Sequence, residues 1–140
     1  MIGKRMSPGP ESPVGPASAA GRKCIVVVEE EFLIRWMLSE ELRDGGYQVI
    51  EACDAAEALT ILETVSPDLL ISDVRMPGPF DGMELLARVR ETLPTLPVII
   101  ISGHLHPAQA MIEGATQFVA KPYHMKAVVD AVRAALGKTI

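Results

Sequence analysis

The sequence contains few of the residues that build disulfide scaffolds or membrane spans. It has only two cysteines, Cys24 and Cys53, and their spacing matches neither a CxxC motif nor a set of metal ligands. We interpret both as free thiols of a protein in the reducing cytoplasm. The apolar runs are four or five residues long, far short of a membrane span. No apolar stretch follows Lys4 and Arg5, so the N-terminus does not have the pattern of a secretory signal.

Clustered positive charge is also missing. The formal net charge is −5 and no basic patch is visible, which argues against a nucleic-acid-binding surface. We therefore predict neither a direct nucleic-acid partner nor a membrane partner. A composition that is 49% hydrophobic and 22% charged fits one globular domain with a substantial core. Residues 1–21 are rich in Pro, Gly and Ser without periodicity, so we predict a disordered tail there and a folded domain over 22–140.

Short aliphatic runs alternate with segments of helical periodicity from residue 22 onward. The runs predict strands near 24–28, 48–51, 69–72, 98–101 and 116–119. The periodic segments predict helices near 31–44, 55–65, 82–92, 107–113 and 123–136, of which the segment near 107–113 is the weakest. Because the central runs do not alternate polar and apolar residues, they are typical of strands buried on both faces. The pattern predicts an α/β domain with a parallel sheet covered by helices on both sides.

Several helix features can be read from single residues. Asp54 lies where the second helix should have its N-cap, and Glu57 follows at the spacing of a capping box. Phe80 or Asp81 is expected to open the third helix. We expect Trp36 to lie beside the buried stripe of the first helix and to be partly buried. That stripe is predicted to consist of Ile34, Met37, Leu38 and Leu42. The alternative for Trp36 is a partly exposed apolar patch, with Leu33, on which a partner protein docks.

Polar side chains follow four of the predicted strands at the points where they end. These residues are Glu29, Glu30, Asp73, Ser102 and Lys121. In an open parallel sheet the carboxyl ends of the strands meet at one edge, where ligands bind. Mg²⁺ prefers carboxylate and water oxygens, and a transferring phosphoryl group is stabilised by surrounding cations. Three carboxylates, a hydroxyl and an ammonium at this edge therefore indicate Mg²⁺-assisted phosphoryl chemistry on an aspartate.

The strings that contain these residues resemble a known family. VVVEEEFLIR, PDLLISDVRMPGPFDGMELL, PVIIISG and FVAKPY occur in this order, and the resemblance covers residues 24–138. Together they resemble the receiver domain of two-component response regulators, of the chemotaxis-regulator-like type. The resemblance implies a doubly wound, five-stranded parallel sheet of flavodoxin-like type with strand order 2-1-3-4-5.

The resemblance also implies a role for each matching acidic position. It makes Asp73 the acceptor of a phosphoryl group from a histidine kinase or a histidine phosphotransferase. It places Mg²⁺ on Glu29, Glu30 and Asp73, with the backbone carbonyl of Arg75 as a further ligand. Glu30 stands where the family usually has Asp, and its side chain is longer by one C–C bond. We therefore expect weaker metal binding than in a receiver with Asp at this position.

The phosphoryl-contacting residues implied by the resemblance are Ser102 and Lys121. Phe118 matches the aromatic residue that changes rotamer when the serine moves. Ser102 and Lys121 are separated by fewer residues than is usual in the family, so we predict a shortened or irregular fourth helix. The surface formed by this helix and the following strand should differ accordingly, and we predict a monomer or weak dimer. If Leu33 and Trp36 form an exposed patch, it is the surface expected to dock the kinase or phosphotransferase.

Other proteins with a parallel sheet bind a cofactor or hydrolyse a phosphate at this edge, and each would need residues that the sequence lacks. A flavodoxin-type FMN site would need a hydroxyl-rich loop after the first strand, and a dinucleotide enzyme would need GxGxxG there. An aspartyl-phosphate hydrolase would need an acid at the position of Arg75. We therefore predict a receiver that is not an enzyme, and we interpret Ile140, just past the fifth helix, as the end of a stand-alone module. The main competing hypothesis is a receiver-like interaction module that works without phosphorylation, for which Glu30 is the chief support.

Overall fold

The computed structural model describes residues 21–76 and 78–137, and over these residues the chain forms five strands and five helices. The strands are β1 (Cys24–Val28), β2 (Gln48–Ala52), β3 (Leu69–Asp73), β4 (Val98–Ser102) and β5 (Gln117–Ala120). All neighbouring strands pair in parallel, and their order is β2-β1-β3-β4-β5. The predicted fold class and strand order are thus confirmed. The predicted disordered tail, residues 1–21, lies outside the described residues except for Gly21.

The helices occupy the predicted intervals. They are α1 (Phe32–Asp44), α2 (Ala55–Leu62), α3 (Gly82–Thr92), α4 (Pro107–Ile112) and α5 (Met125–Leu136). Helix α4 has only six residues, because Pro107 begins it and Gly114, at φ 110°, follows its end. The prediction of a shortened fourth helix is therefore confirmed.

The core consists of two apolar layers, one on each face of the sheet. Strands β1, β3 and β4 are buried at every position, which explains why their sequences do not alternate. On one face Val26, Leu70 and Ile100 pack beneath α2, α3 and α4. On the other face Ile25 and Ile71 pack beneath α1 and α5. Both faces are covered, as a doubly wound sheet requires.

Two predicted helix starts are confirmed with defined hydrogen bonds. The Asp54 carboxylate accepts from the backbone N–H of Glu57 at 2.8 Å, and Asp81 accepts from Met83 and Glu84, both at 3.0 Å. The Glu57 side chain reaches back to the backbone N–H of Cys53 at 2.7 Å, rather than to that of the N-cap residue itself.

The predicted stripe of α1 is partly wrong. Leu38 and Leu42 are buried, but Met37 is 51% exposed and the small residue Ser39 is buried instead. The buried residues of α1, Leu38, Ser39 and Leu42, all lie in the second half of the helix, and the apolar side chains of its first turns are mostly exposed. Trp36 is 47% exposed and Leu33 is 62% exposed, which favours the alternative of an exposed apolar patch over burial of Trp36.

Candidate functional site

Three of the predicted site residues lie at adjacent positions along the carboxyl edge of the sheet. Asp73 is the last residue of β3, Ser102 is the last residue of β4, and Glu29 directly follows β1. Since β1 and β4 flank β3 in the sheet, Glu29 and Ser102 lie on opposite sides of Asp73. Lys121 follows β5, and its backbone N–H donates to the Ser102 carbonyl at 3.0 Å. The strand order therefore brings together residues that are far apart in sequence.

Asp73 and Lys121 form an ion pair at the centre of this edge. Lys121 Nζ donates to Asp73 Oδ2, and the Asp73 residue is only 6% exposed. Burial by itself would lower the pKa of Lys121. The hydrogen bond to Asp73 and the charges of Asp73 and Glu29 outweigh burial, so the pKa of Lys121 is raised. The ammonium is held in its charged form beside the predicted phosphoacceptor.

Glu29 is the second buried carboxyl group of the site, with 7% exposure. Burial raises the pKa of Glu29 to about 7; the backbone N–H of Glu31 opposes this shift and the neighbouring Asp73 adds to it. Glu29 Oε2 accepts from that N–H at 2.9 Å. Two buried carboxyl groups thus share one ammonium, and the excess negative charge would favour binding of a cation.

Glu30 has a different environment from Glu29. Its side chain is exposed. Within residues 21–76 and 78–137, no group of three His, Cys, Asp or Glu side chains is arranged to hold a metal ion. The structure therefore brings Glu29 and Asp73 together but does not bring Glu30 into a three-carboxylate cluster with them.

Ser102 is buried, and its hydroxyl organises the loop that leads to α4. Its oxygen accepts from the backbone N–H of His104 at 3.1 Å and from that of Leu105 at 3.0 Å. A serine hydroxyl has two acceptor sites and one donor. The two backbone groups use the acceptor sites, so the O–H remains able to donate to an oxygen of a phosphoryl group.

The two residues that only the resemblance implied occupy different positions. Arg75 is exposed in the loop after β3, and it lines the same groove as Asp73. Phe118 lies in β5, half-buried against the core layer under α4, to which Leu105 also contributes. Its placement near the Ser102 loop is compatible with a switch role, which stays a prediction.

A groove of about 750 Å³ opens beside Asp73, Ser102 and Lys121. Ile34 and Met37 of α1 form one wall, and the segment 122–125 before and at the start of α5 forms another. The mixture of apolar walls and a polar end suits contact with a protein surface that carries a reactive polar group.

Sequence reasoning missed the importance of Gly82 at the start of α3. A Cβ at this position would lie 2.1 Å from the Asp73 carbonyl oxygen and 2.9 Å from Val74 Cα. The Gly82 N–H also donates to the Val74 carbonyl at 2.9 Å. Glycine is therefore required here because the helix approaches the backbone of the predicted phosphoacceptor. The pair Asp81-Gly82 at a helix start was the available signal.

A family model described as the response regulator receiver domain matches residues 25–133. The chain belongs to this receiver domain family. The receiver is 35% identical over 118 residues to the DNA-binding transcriptional regulator NtrC of Escherichia coli K12, covering 82% of this chain and 25% of NtrC. It thus spans about a quarter of the length of that relative.

Solved receiver structures have the same fold. The receiver domain of NtrX from Brucella abortus is 33% identical, with a TM-score of 0.75, and the match covers 80% of this chain and 97% of that one. The chemotaxis protein CheY4 of Vibrio cholerae is 28% identical, with a TM-score of 0.76, and the match covers 82% and 99%. The predicted family and fold are confirmed.

The donor set of this receiver suits a hard divalent cation. Receivers in general bind Mg²⁺ at an acidic pocket. Here the pocket offers Glu29 and Asp73. Burial, and after it the neighbouring Asp73, raise the pKa of the Glu29 carboxyl, and a bound cation would stabilise its charged form. Over the described parts of the chain, no helix has the length and apolar character needed to span a bilayer.

Proposed function

We propose that this receiver accepts a phosphoryl group on Asp73 from a histidine kinase or histidine phosphotransferase. It would then signal by docking to another protein or by passing the group onward. The observation that carries the proposal is the buried Asp73 carboxylate, which lies beside Glu29 and is ion-paired with Lys121 at the carboxyl edge. A buried nucleophile held between a carboxyl and an ammonium suits transfer of a charged group.

The reaction would use groups whose positions are described above. An oxygen of the Asp73 carboxylate attacks phosphorus, the bond from phosphorus to the donor imidazole nitrogen breaks, and the imidazole leaves with the electron pair. The Lys121 ammonium and the Ser102 O–H stabilise the oxygens of the incoming group. Burial of Asp73 limits access of water to the acyl phosphate.

Mg²⁺ would be held by Glu29, Glu30, Asp73 and the backbone carbonyl of Arg75. When bound, it supplies positive charge that neutralises the transferring group. The buried Glu29 and Asp73 would be the principal carboxylate ligands. Glu30, being exposed, would have to turn inward or act through a water molecule.

Mass spectrometry of the intact protein tests the proposal directly. Purified protein incubated with Mg²⁺ and acetyl phosphate should gain the mass of one phosphoryl group, and omission of Mg²⁺ should greatly reduce the gain. Asp73→Asn should abolish it, because the amide is not a nucleophile, while the fold stays intact. The same gain in Asp73→Asn would show that the group is attached elsewhere.

We propose that the partner docks on an exposed apolar surface at the start of α1. This α1 patch consists of Phe32, Leu33, Trp36 and Met37, with exposures of 64%, 62%, 47% and 51%. Four large apolar side chains on two successive turns are unusual for a solvated helix. The patch adjoins the groove that leads to Asp73, so a helix carrying a phosphorylated histidine would cover the patch and reach the acceptor.

Trp36→Ala should weaken binding of a cognate phosphodonor several-fold while changing the free energy of unfolding little, because Trp36 is half exposed. Ile112→Ala is the matched control, since Ile112 is 82% exposed on α4, outside the α1 patch. Isothermal titration calorimetry with the donor domain measures the first effect and urea unfolding the second. Equal losses of affinity in the two variants would contradict the proposed surface.

The competing proposal is an interaction module that works without phosphorylation. The exposed position of Glu30, outside any three-carboxylate cluster of the described residues, favours it. The two proposals differ in a downstream binding assay. A module of this kind would bind its target equally well before and after phosphorylation, and Asp73→Asn would bind it just as well. A phosphorylation switch would bind its target tightly only when phosphorylated.

The manner in which this receiver would pass its signal on is the next question. We propose signalling through protein contacts, without direct nucleic-acid binding and without catalysis on an external metabolite. The net charge of −5 supports the first statement. The relative NtrC is named a DNA-binding transcriptional regulator, but the match covers only 25% of it. A cytoplasmic location stays a prediction from the sequence.

A further inference from the structure

Arg35 lies in the first turn of α1, and its side chain contacts both the loop after β1 and the neighbouring strand β2. Its side chain is only 15% exposed, although it lies near the start of the exposed α1 patch. Arg35 Nη1 donates to the backbone carbonyl of Glu29 at 2.8 Å, and Arg35 Nε donates to Glu51 Oε1 at 3.2 Å. The guanidinium also lies over the Phe32 ring, 5.5 Å from its centroid. A single planar group thus bonds to the acidic loop and to β2.

Backbone hydrogen bonds hold both ends of the segment Glu29–Glu31, and the Glu31 carbonyl accepts from the backbone N–H of Arg35 at 2.9 Å. The Glu29 N–H donates to the Ala52 carbonyl at 3.0 Å, which fixes the end that continues β1. The Glu29 carboxylate accepts from the Glu31 N–H, but a metal-bound carboxylate would have to share or release this contact. The Glu29 carbonyl belongs to the peptide that joins Glu29 to Glu30. The orientation of this peptide sets the direction in which the Glu30 side chain leaves the backbone.

We propose that Arg35 is a positioning residue that, by holding the Glu29–Glu30 peptide, fixes the backbone from which the buried Glu29 carboxylate reaches a divalent cation beside Asp73. The inference rests on the proposed function, because that function requires the cation. It adds a residue outside the ligand set, one helical turn into α1, on which metal affinity should depend.

We expect Arg35 to act through its hydrogen bond to the Glu29 carbonyl rather than through its positive charge. The charged groups that shift the pKa of Glu29 are Asp73 and Lys121. The positive charge of Arg35 is matched by Glu51, with which it forms an ion pair. Removal of Arg35 would therefore leave the field at the site little changed, but it would free the peptide next to both acids. Loss of a group that orients metal ligands typically lowers affinity by about 10- to 100-fold.

Arg43 provides a matched control within the same helix. It also bonds to Glu51, through Nη2 to Oε2 at 3.2 Å, and it also donates to a backbone carbonyl, that of Val49, at 3.1 Å. It shares Glu51 with Arg35, but its other contacts, to the Val49 carbonyl and to Glu40, lie at the far end of α1, away from Glu29. A substitution there removes the same chemical interactions without touching the acidic loop.

The test is a titration of backbone amide NMR shifts with Mg²⁺ on the full chain. Arg35→Gln should weaken Mg²⁺ binding about tenfold, Arg43→Gln less than twofold, and Arg35→Lys to an intermediate degree, because one ammonium can replace only one of the two hydrogen bonds. Glu51→Ala should have a small effect, since it leaves the contact to the Glu29 carbonyl. Urea unfolding without metal shows whether each variant is folded.

The outcomes separate this inference from the proposed function. An unchanged Mg²⁺ affinity in folded Arg35→Gln would overturn the inference and leave phosphorylation of Asp73 standing. Equal weakening in Arg35→Gln and Glu51→Ala would also overturn it, by showing that the link to β2 matters rather than the carbonyl contact. If Arg35→Gln does not fold, Arg35→Lys decides by the same comparison. If the unaltered protein binds no Mg²⁺, the proposed function itself fails.

Discussion

The interior of the sheet and its carboxyl edge are built by the same strands but serve opposite purposes. In β4, Ile100 is fully buried among apolar neighbours, whereas two positions later Ser102 binds the backbone of the next loop. In β3, Leu70 belongs to the core, whereas Asp73 is a buried charge paired with Lys121. The interior stabilises the fold through apolar burial. At the edge, burial of charged groups such as Asp73 costs part of that stability, and these groups are the ones proposed to perform the chemistry.

The largest effect on stability is expected in the interior. Ile100→Ala should lower the free energy of unfolding by about 2–5 kcal/mol, because it removes buried methyl groups and leaves a cavity. Urea unfolding measures this loss. Asp73→Asn, at the edge, should change stability by less than about 1 kcal/mol. It removes a buried carboxylate, and the Lys121 ammonium that it leaves is one-third exposed and still lies near Glu29. Similar losses in both variants would show that the edge supports the fold as much as the interior does.

A second substitution tests how tightly the edge is packed. Gly82→Ala should cost about 1–3 kcal/mol, because the new methyl group overlaps the Asp73 carbonyl, and it should also slow phosphorylation of Asp73. Gly45→Ala is the control, since its Cβ would meet Leu42 O at an ordinary 3.4 Å. Acetyl phosphate labelling followed by intact mass gives the rate. A normal rate in Gly82→Ala would mean that the edge tolerates displacement.

Glu30→Asp tests whether the exposed acid limits metal binding at the edge. The shorter side chain should tighten Mg²⁺ binding roughly tenfold to a hundredfold and speed phosphorylation. One good carboxylate contact contributes about 1–3 kcal/mol. Amide NMR titration measures the affinity, with Glu31→Asp as the control at the next position. Equal or weaker binding in Glu30→Asp would show that the loop is already adapted to glutamate.

A further prediction concerns the dependence of stability on pH. The pKa of Glu29 is about 7 in the folded protein and near 4.5 when it is unperturbed, so the folded state holds this proton more tightly. The unfavourable contribution of Glu29 to metal-free stability should therefore be absent below about pH 4.5, grow as the pH rises, and be complete above about pH 7.

Urea unfolding in EDTA across this range should show a shallower decline in Glu29→Gln than in the unaltered protein. Glu63→Gln, which alters an exposed acid after α2, should retain the original slope. An identical slope in all three proteins would contradict the assignment of this pH dependence to Glu29.

Much of the fold was predictable because its signals are local. The uninterrupted apolar runs of β1, β3 and β4 indicated strands buried on both faces, and Asp54 and Asp81 marked helix starts. The stripe of α1 was predicted less well. Helical periodicity places Met37 near Leu38, but it does not show where the neighbouring layer ends, so Met37 was assigned to the core although it is exposed.

The sequence alone determined which residue types follow each strand, and hence that Glu29, Asp73, Ser102 and Lys121 would meet at one edge of a parallel sheet. Only the tertiary structure decided that Gly82 approaches the backbone of Asp73, that Arg35 holds the Glu29 carbonyl and that Glu30 faces solvent. The physical reason is the range of each interaction. Strand and helix patterns depend on neighbours in the chain, whereas these contacts depend on how separate elements pack within a few tenths of an ångström.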